Sequence, residues 1–288
     1  MLTFIKQRLG RNPKIINAYS AFQWQKHKWS DWLNTYIFKR TIRFDTPFGF
    51  KMISRNYIAN RLMMAGIFEI EEVELIKSTL TKSDVFVDVG ANIGLYTCLA
   101  RSLGKYAIAF EPQPHNLECL YLNLNSNNWQ DTEVFPLGLS NKPGLLTLYG
   151  ASGPSASLVS GWAGYSTQFK RIIPVNTLDT FLGKRFEGKK LFIKIDVEGA
   201  EYNVLLGALK TLSMSPRPTW FIEICLDEFH PGAMNPHYEA TFDLFWKHGY
   251  EVRLANKEFT LITPSDVKSW VARKHSIPNN FNYLFIPK

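Results

Sequence analysis

The sequence predicts an α/β protein built on an open, doubly wound, mostly parallel sheet of seven strands, with a helical N-terminal extension before it. Three observations carry this reading. Short β-branched and aromatic runs alternate with helical periodicities from residue 85 to 137 and again from 191 to 254. The first run, DVFVDVGANIG (Asp84 to Gly94), stops at a small-residue turn that opens a helix. The alternation breaks once, between Ser140 and Leu182, then resumes and closes with what reads as an antiparallel pair.

Taken in order, residues 1–40 read as mainly helical and irregular, and Ile42 to Ile53, with Pro47 and Gly49 between two short runs, reads as a hairpin. Arg55 to Leu80 is helical, with Glu69, Glu71, Glu72 and Glu74 around a helix start. Strand 85–89 then leads to helix 93–103, which buries Leu95, Leu99 and Leu103 and ends near Gly104. Strand 106–110, helix 114–126 with Leu117, Leu120, Tyr121 and Leu124 inward, and strand 133–137 follow. In the break, Leu145 to Tyr149 and Arg171 to Val175 read as paired strands flanking the Gly/Ser-rich loop 151–164. Beyond it come strand 191–195, helix 198–212, strand 220–225, helix 237–248, strand 250–254 and strand 283–286.

Composition bounds the function. Hydrophobic content of 45% and charged content of 20% describe an ordinary globular chain with ample core. Cys98, Cys119 and Cys225 lack metal-ligand spacing and sit among apolar residues, which predicts reduced core thiols and a cytoplasmic compartment. No run approaches the ~18 apolar residues of a membrane span, and the first residues lack a hydrophobic signal region. The net charge of +8 is uneven: residues 1–61 hold twelve of the 33 Lys and Arg against Asp31 and Asp45. Phe22, Trp24, Trp29, Trp32, Tyr36 and Phe38 share that segment. It divides the chain into a basic, aromatic extension, 1–66, and a main domain, 67–288. The extension is compatible with simple packing onto the domain and with peripheral contact at a membrane surface; nucleic acid is the least expected partner. Composition leaves the oligomeric state open.

The glycine turn selects the ligand class. A dinucleotide loop needs G-x-G-x-x-G, and counting from Gly90 the next two required positions are Asn92 and Leu95, so that fit fails. No phosphate-binding G-x-x-x-x-G-K-(S/T) occurs either. An acid two residues before the first glycine does fit: Asp88, Gly90, Asn92 and Gly94. S-adenosyl-L-methionine, with a sulfonium and an ammonium, has a use for such an acid. Glu111, at the end of the second strand, stands where an acid takes ribose hydroxyls.

Strands one and two ending at Asp88 and Glu111 define the carboxyl edge of the sheet, where such folds bind ligands. Strand four, LFIKID, brings Asp196 to that edge, and strand five, WFIEICLDEFH, brings Glu223 and leads to Asp227, Glu228 and His230. Methyl transfer to a hydroxyl needs alignment and a proton acceptor, and Asp196, Glu223 and His230 are the bases available. Three carboxylates at one edge also leave open a divalent cation, although no spacing identifies a metal ligand set. Glu201, in the first turn of the next helix, reads as a cap. A base-nitrogen acceptor calls for an N-P-P-(Y/F)-like turn after strand four; this chain has Asp196-Val197-Glu198-Gly199 there.

The segments DVFVDVGANIGLYT, AFEPQPHNLECLYLNLNSNN, LGLSNKPGLLTL, VNTLDTFL and LFIKIDVEGAEYNVLLGALKTL, in this order, resemble the FkbM family of S-adenosylmethionine-dependent methyltransferases over about residues 68–255. The resemblance implies a class I methyltransferase fold and methylation of an oxygen on a sugar, glycan, lipid or secondary metabolite. It implies contact with the cofactor's methionine part by Asp88, Gly90, Asn92 and Gly94, and with ribose by Glu111. It also implies a place at the reaction centre for Asp196 and one near the cofactor for Glu69, in GIFE. The expected function is an O-methyltransferase for a carbohydrate, glycolipid or secondary metabolite. The alternatives are a ribose 2'-O-methyltransferase acting on RNA and a non-catalytic binding module on the same fold.

Overall fold

The structure is a computed structural model that describes residues 41–55, 57–150, 156–164, 167–232, 234–276 and 281–288. The helical stretch and aromatic cluster expected within residues 1–40 lie outside the described residues. The chain groups into two compact units, 1–47 with 52–68, and 48–51 with 69–288. In the first, strand β1 (Ile42–Asp45) pairs with β2 (Lys51–Ser54), the expected hairpin, and helix α1 (Tyr57–Met64) follows. The helical stretch expected over 55–80 is two helices, the second starting at the expected glutamates, because Gly66 and Glu69 take left-handed backbone at φ 66° and 46°.

The second unit starts with α2 (Ile70–Leu80), which buries Val73, Ile76 and Leu80 along one face. Its main sheet contains β3 (Val85–Val89), β4 (Tyr106–Phe110), β5 (Glu133–Phe135), β9 (Leu191–Ile195), β10 (Thr219–Glu223), β11 (Tyr250–Leu254), β12 (Leu261–Ile262) and β13 (Asn282–Pro287). Their spatial order is β12-β11-β13-β10-β9-β3-β4-β5. The five strands from β10 to β5 run parallel, and β13 is antiparallel to both β10 and β11. This is the class I methyltransferase arrangement. It contains the seven expected strands, and the two-residue β12 adds an eighth at the edge.

The central strands β3 and β9 are buried at every position, as expected for a parallel sheet covered on both faces. Alternation divides them. Val85, Val87, Val89, Ile193 and Ile195 enter one apolar core with Trp220, Phe242 and Phe285. Phe86, Asp88, Phe192 and Lys194 face the other side, with Asp88 in register with Lys194. That side is covered by α2 and by α3 (Leu95–Ser102).

Helix α4 (Pro114–Ser126) connects β4 and β5. A separate three-stranded sheet then interrupts the alternation: β6 (Gly138–Leu139), β8 (Lys170–Asn176) and β7 (Gly144–Tyr149), in that spatial order. The second half contains α5 (Leu178–Leu182), α6 (Glu201–Leu206), α7 (Leu209–Leu212), α8 (Tyr238–Lys247) and α9 (Pro264–Arg273). The helix expected over 198–212 begins late and divides in two. Glu198 and Gly199 occupy left-handed backbone, which no α-helix accommodates. The three cysteines are buried and form no disulfide with one another. No helix among the described residues is long and apolar enough to cross a membrane.

Candidate active site

A cleft of about 650 Å³ opens over the carboxyl ends of β3, β4 and β9 and is closed on one side by Leu148 and Ile173 of the three-stranded sheet. Three chain crossings are stitched together at its floor. The amides of Gly90 and Ala91 donate to the Phe110 carbonyl at 2.9 and 3.0 Å, and the Asp196 amide donates to Val89 at 3.0 Å. Gly90 holds φ 84°, and a Cβ there would lie 1.9 Å from the Asp196 carbonyl oxygen. Glycine at 90 is therefore what lets the β3 turn touch the end of β9.

Glu111, 4% exposed, lines the cleft. Its two carboxylate oxygens accept from the amides of Asn92 and Gln113, each at 2.8 Å. Burial pushes its carboxyl up to about 7, while those amides pull it down. A carboxylate offers about four acceptor positions, and with the Asn116 side chain as a third donor, capacity remains for one hydroxyl in the cleft. Gly90 and Asn92 line the same cleft. Gly94 caps the N-terminus of α3 and packs on Leu120 instead.

Behind the floor lies a cluster of acids around one buried cation. Lys194, 3% exposed, donates to Asp196 Oδ2 at 2.9 Å and stands 4.9 Å from the Tyr96 ring centroid. Burial works against its charge, but Asp196, Asp88 and Glu69 prevail and hold the ammonium above its usual pKa. Asp88, 1% exposed, accepts from Thr97 Oγ1 at 2.5 Å; it supports the cleft from inside the fold and is not part of its lining. Glu69 accepts the Tyr96 hydroxyl at 2.6 Å, and Glu72 accepts from Asn282 at 2.7 Å. Burial, reinforced by Glu69, pushes Glu72 to about 7, and burial likewise raises Glu69, Asp88 and Glu223. Among the described residues, Lys194 is the cation acting on Glu69, Glu72, Asp88, Glu198 and Glu223 alike. So acidic a wall fits a ligand that carries positive charge.

Asp196, Val197 and Glu198 complete the cleft at the end of β9. The Glu198 carboxylate accepts the Trp162 indole N–H at 2.6 Å, and its carbonyl accepts from Ser157 Oγ. Trp162 is 3% exposed and lies over Gly199, where a Cβ would come within 2.5 Å of the indole ring. Buried in this way, the indole offers no open face on which a sugar could stack. Residues 151–155 of the loop lie outside the described residues. Glu201 caps the turn, accepting from the Gly199 amide at 2.9 Å. Burial pushes its carboxyl to about 7.

His230 sits edge-on to Trp162, ring centroids 5.4 Å apart, and is not among the residues lining the cleft. Burial lowers its pKa, and its buried Nε2 has no hydrogen-bond partner among the described residues. Among the described residues, the group with ligand atoms close enough to share a cation is Asp227, Glu228 and His275, all within 4.8 Å. Asp196 and Glu223 do not join such a group, so a divalent cation at the reaction centre has no support.

Sequence reasoning missed Lys194, Glu72, Tyr96 and Glu198 as members of this site. One signal was present. A lysine inside the otherwise apolar LFIKI strand is a charge the fold must pair.

Residues 88–252 match the Methyltransferase FkbM domain, more than half of the chain. The chain belongs to the FkbM methyltransferase family. Among curated proteins, the hexuronic acid methyltransferase AglP of Haloferax volcanii is 31% identical over 167 residues, covering 57% of this chain and 64% of AglP. The AMB antimetabolite synthetase AmbE of Pseudomonas aeruginosa is 26% identical over 247 residues, covering 73% of this chain and 11% of AmbE. The alignments thus span less than two thirds of either relative's length. Among solved structures, a precorrin-6y C5,15-methyltransferase from Geobacter metallireducens aligns with TM-score 0.41 at 14% identity, covering 77% of this chain and 88% of that one.

Proposed function

We propose that the protein transfers a methyl group from S-adenosyl-L-methionine to a hydroxyl of a carbohydrate or glycolipid. Family membership supports methyl transfer. The observation that carries the cofactor is Glu111, a cleft-lining carboxylate that braces the glycine-turn amide of Asn92 and keeps acceptor capacity for a ribose hydroxyl. The acid cluster behind Asp88 and Asp196 supports a cationic ligand over a phosphate-bearing one. Bound here, S-adenosyl-L-methionine supplies a methyl group made electrophilic by its sulfonium.

The residues of the chain divide the remaining work. Gly90 and Asn92 shape the turn, and Glu111 holds it to the floor. Lys194 holds the Asp196 carboxylate at the cleft edge, where it orients positive charge and the entering hydroxyl. Leu148 and Ile173 exclude water from one side. Glu69, Glu72, Asp88 and Glu223 set the potential from behind. The relative AglP, named for a hexuronic acid, supports a sugar-type acceptor.

Mass spectrometry of glycans from host cells with and without the gene tests the acceptor class. Loss of a methyl increment from a sugar in the deletion supports it. An unchanged glycan profile together with a lost methyl on RNA contradicts it.

A further inference from the structure

We infer that Glu198 takes the proton of the acceptor hydroxyl during methyl transfer; this rests on the functional reading above. Two carboxylates reach the cleft at the end of β9, and their surroundings differ. Asp196 is engaged by the Lys194 ammonium at 2.9 Å, so one of its oxygens is already taken by a buried cation. Glu198 makes no ion pair among the described residues. One of its oxygens, Oε2, receives the Trp162 indole N–H at 2.6 Å, and Oε1 has no hydrogen-bond donor among the described residues. Glu198 itself lines the cleft.

The backbone is built to hold this carboxylate. Glu198 is not a glycine and yet takes φ 58°, a strained conformation that persists only where the surroundings impose it. Ser157 donates to its carbonyl, and the Glu201 carboxylate receives the Gly199 amide that follows. Gly199, at φ 94°, leaves the space into which the Trp162 ring fits. The segment 156–164 and the β9–α6 turn therefore lock one side chain in place. The charged groups that face it are Asp196 and Lys194 from β9, Glu201 from α6 and Glu223 from β10. Burial first, and then the Asp196 charge, push its carboxyl up to about 8, while the indole donor pulls it down. Divergent environments for two neighbouring carboxylates are how enzymes separate a base from a fixed charge.

The acceptor oxygen donates a lone pair to the methyl carbon as the carbon–sulfur bond breaks, and that bond's electron pair remains on sulfur as a neutral thioether. The O–H bond breaks, its proton moves to Glu198, and the proton is later released to water.

Glu198→Gln and Trp162→Phe test this with two readouts. Glu198→Gln should bind the cofactor within about threefold of wild type by calorimetry and lose roughly 10²–10⁴-fold in turnover on a hydroxyl acceptor. Glu198→Asp should recover part of that loss. In cofactor-free protein, the tryptophan fluorescence difference between wild type and Trp162→Phe should titrate near pH 8 and stop titrating in Glu198→Gln. Trp162→Phe removes a donor to the carboxylate, so the acidic limb of its activity profile, where the base becomes protonated, should move to higher pH. Turnover of Glu198→Gln within a few-fold of wild type, or an unchanged pH limb, overturns the role of Glu198 and leaves the functional reading intact. Wild-type protein that methylates no hydroxyl acceptor overturns both.

Discussion

Asp88 and Lys194 are register partners on adjacent parallel strands, and Lys194 donates to Asp196 two residues further on, at 2.9 Å. A single buried ammonium thus ties the end of the first strand to the edge of the cleft. Lys194→Met leaves these acids without their cation, and an uncompensated buried charge costs about 3–5 kcal/mol. Chemical denaturation should show a loss of that order, with partial recovery in Lys194→Met/Asp88→Asn. A loss below about 1 kcal/mol would mean that the cluster is wetter than its burial indicates.

The same burial sets the pH dependence of stability. Glu72, Glu111 and Glu201 are each pushed to about 7 in the folded protein by burial. A folded-state value above the unfolded one stabilises at low pH, and that contribution is lost as pH rises through about 7. A tenfold difference in proton affinity between folded and unfolded chain corresponds to about 1.4 kcal/mol. Ligand-free protein should therefore melt at a higher temperature near pH 5.5 than near pH 8. Bound cofactor, being cationic, should reduce the difference. Thermal melts that rise from pH 5.5 to 8 would contradict this.

Glu111→Ala removes a charged acceptor at the floor of the cleft. Hydrogen bonds to charged groups contribute about 1.5–3 kcal/mol, so cofactor affinity should fall at least about tenfold. Calorimetry on the folded variant reads this directly, and unchanged affinity would remove Glu111 from the ribose site.

Two glycines with positive φ separate strain from collision. Gly104→Ala, at φ 71° with nothing within 4 Å of the new Cβ, meets only backbone strain. Gly90→Ala adds a 1.9 Å approach to the Asp196 carbonyl and should destabilise considerably more. Comparable melting temperatures for the two variants would show that the β3–β9 contact yields easily.

Much of this was legible in the sequence, for physical reasons. Strands β3, β4 and β9 are mostly apolar runs, the pattern of a covered parallel sheet, and Gly90 marks where β3 must turn. Asp196 and Glu111 followed from strand ends alone. The break at Glu198 was not legible, because a glutamate gives no sign of left-handed backbone; the contacts of Ser157 and Trp162 impose it. Helix α9 was missed although Thr263 and Asp266 form a capping box readable as T-P-S-D. The acid cluster gathers residues as far apart as Glu69 and Glu223, and no local pattern joins those.

Transfer of labelled methyl from S-adenosyl-L-methionine to a panel of sugar acceptors, with wild type and Asp196→Asn side by side, tests the central claim most directly. The predicted result is label in an alkali-stable methyl ether on a sugar hydroxyl. In Asp196→Asn the label should fall by roughly 10²-fold, because the entering hydroxyl loses its alignment, with cofactor binding kept within a few-fold. Label in an alkali-labile ester, label on RNA, or near-normal turnover in Asp196→Asn would contradict it.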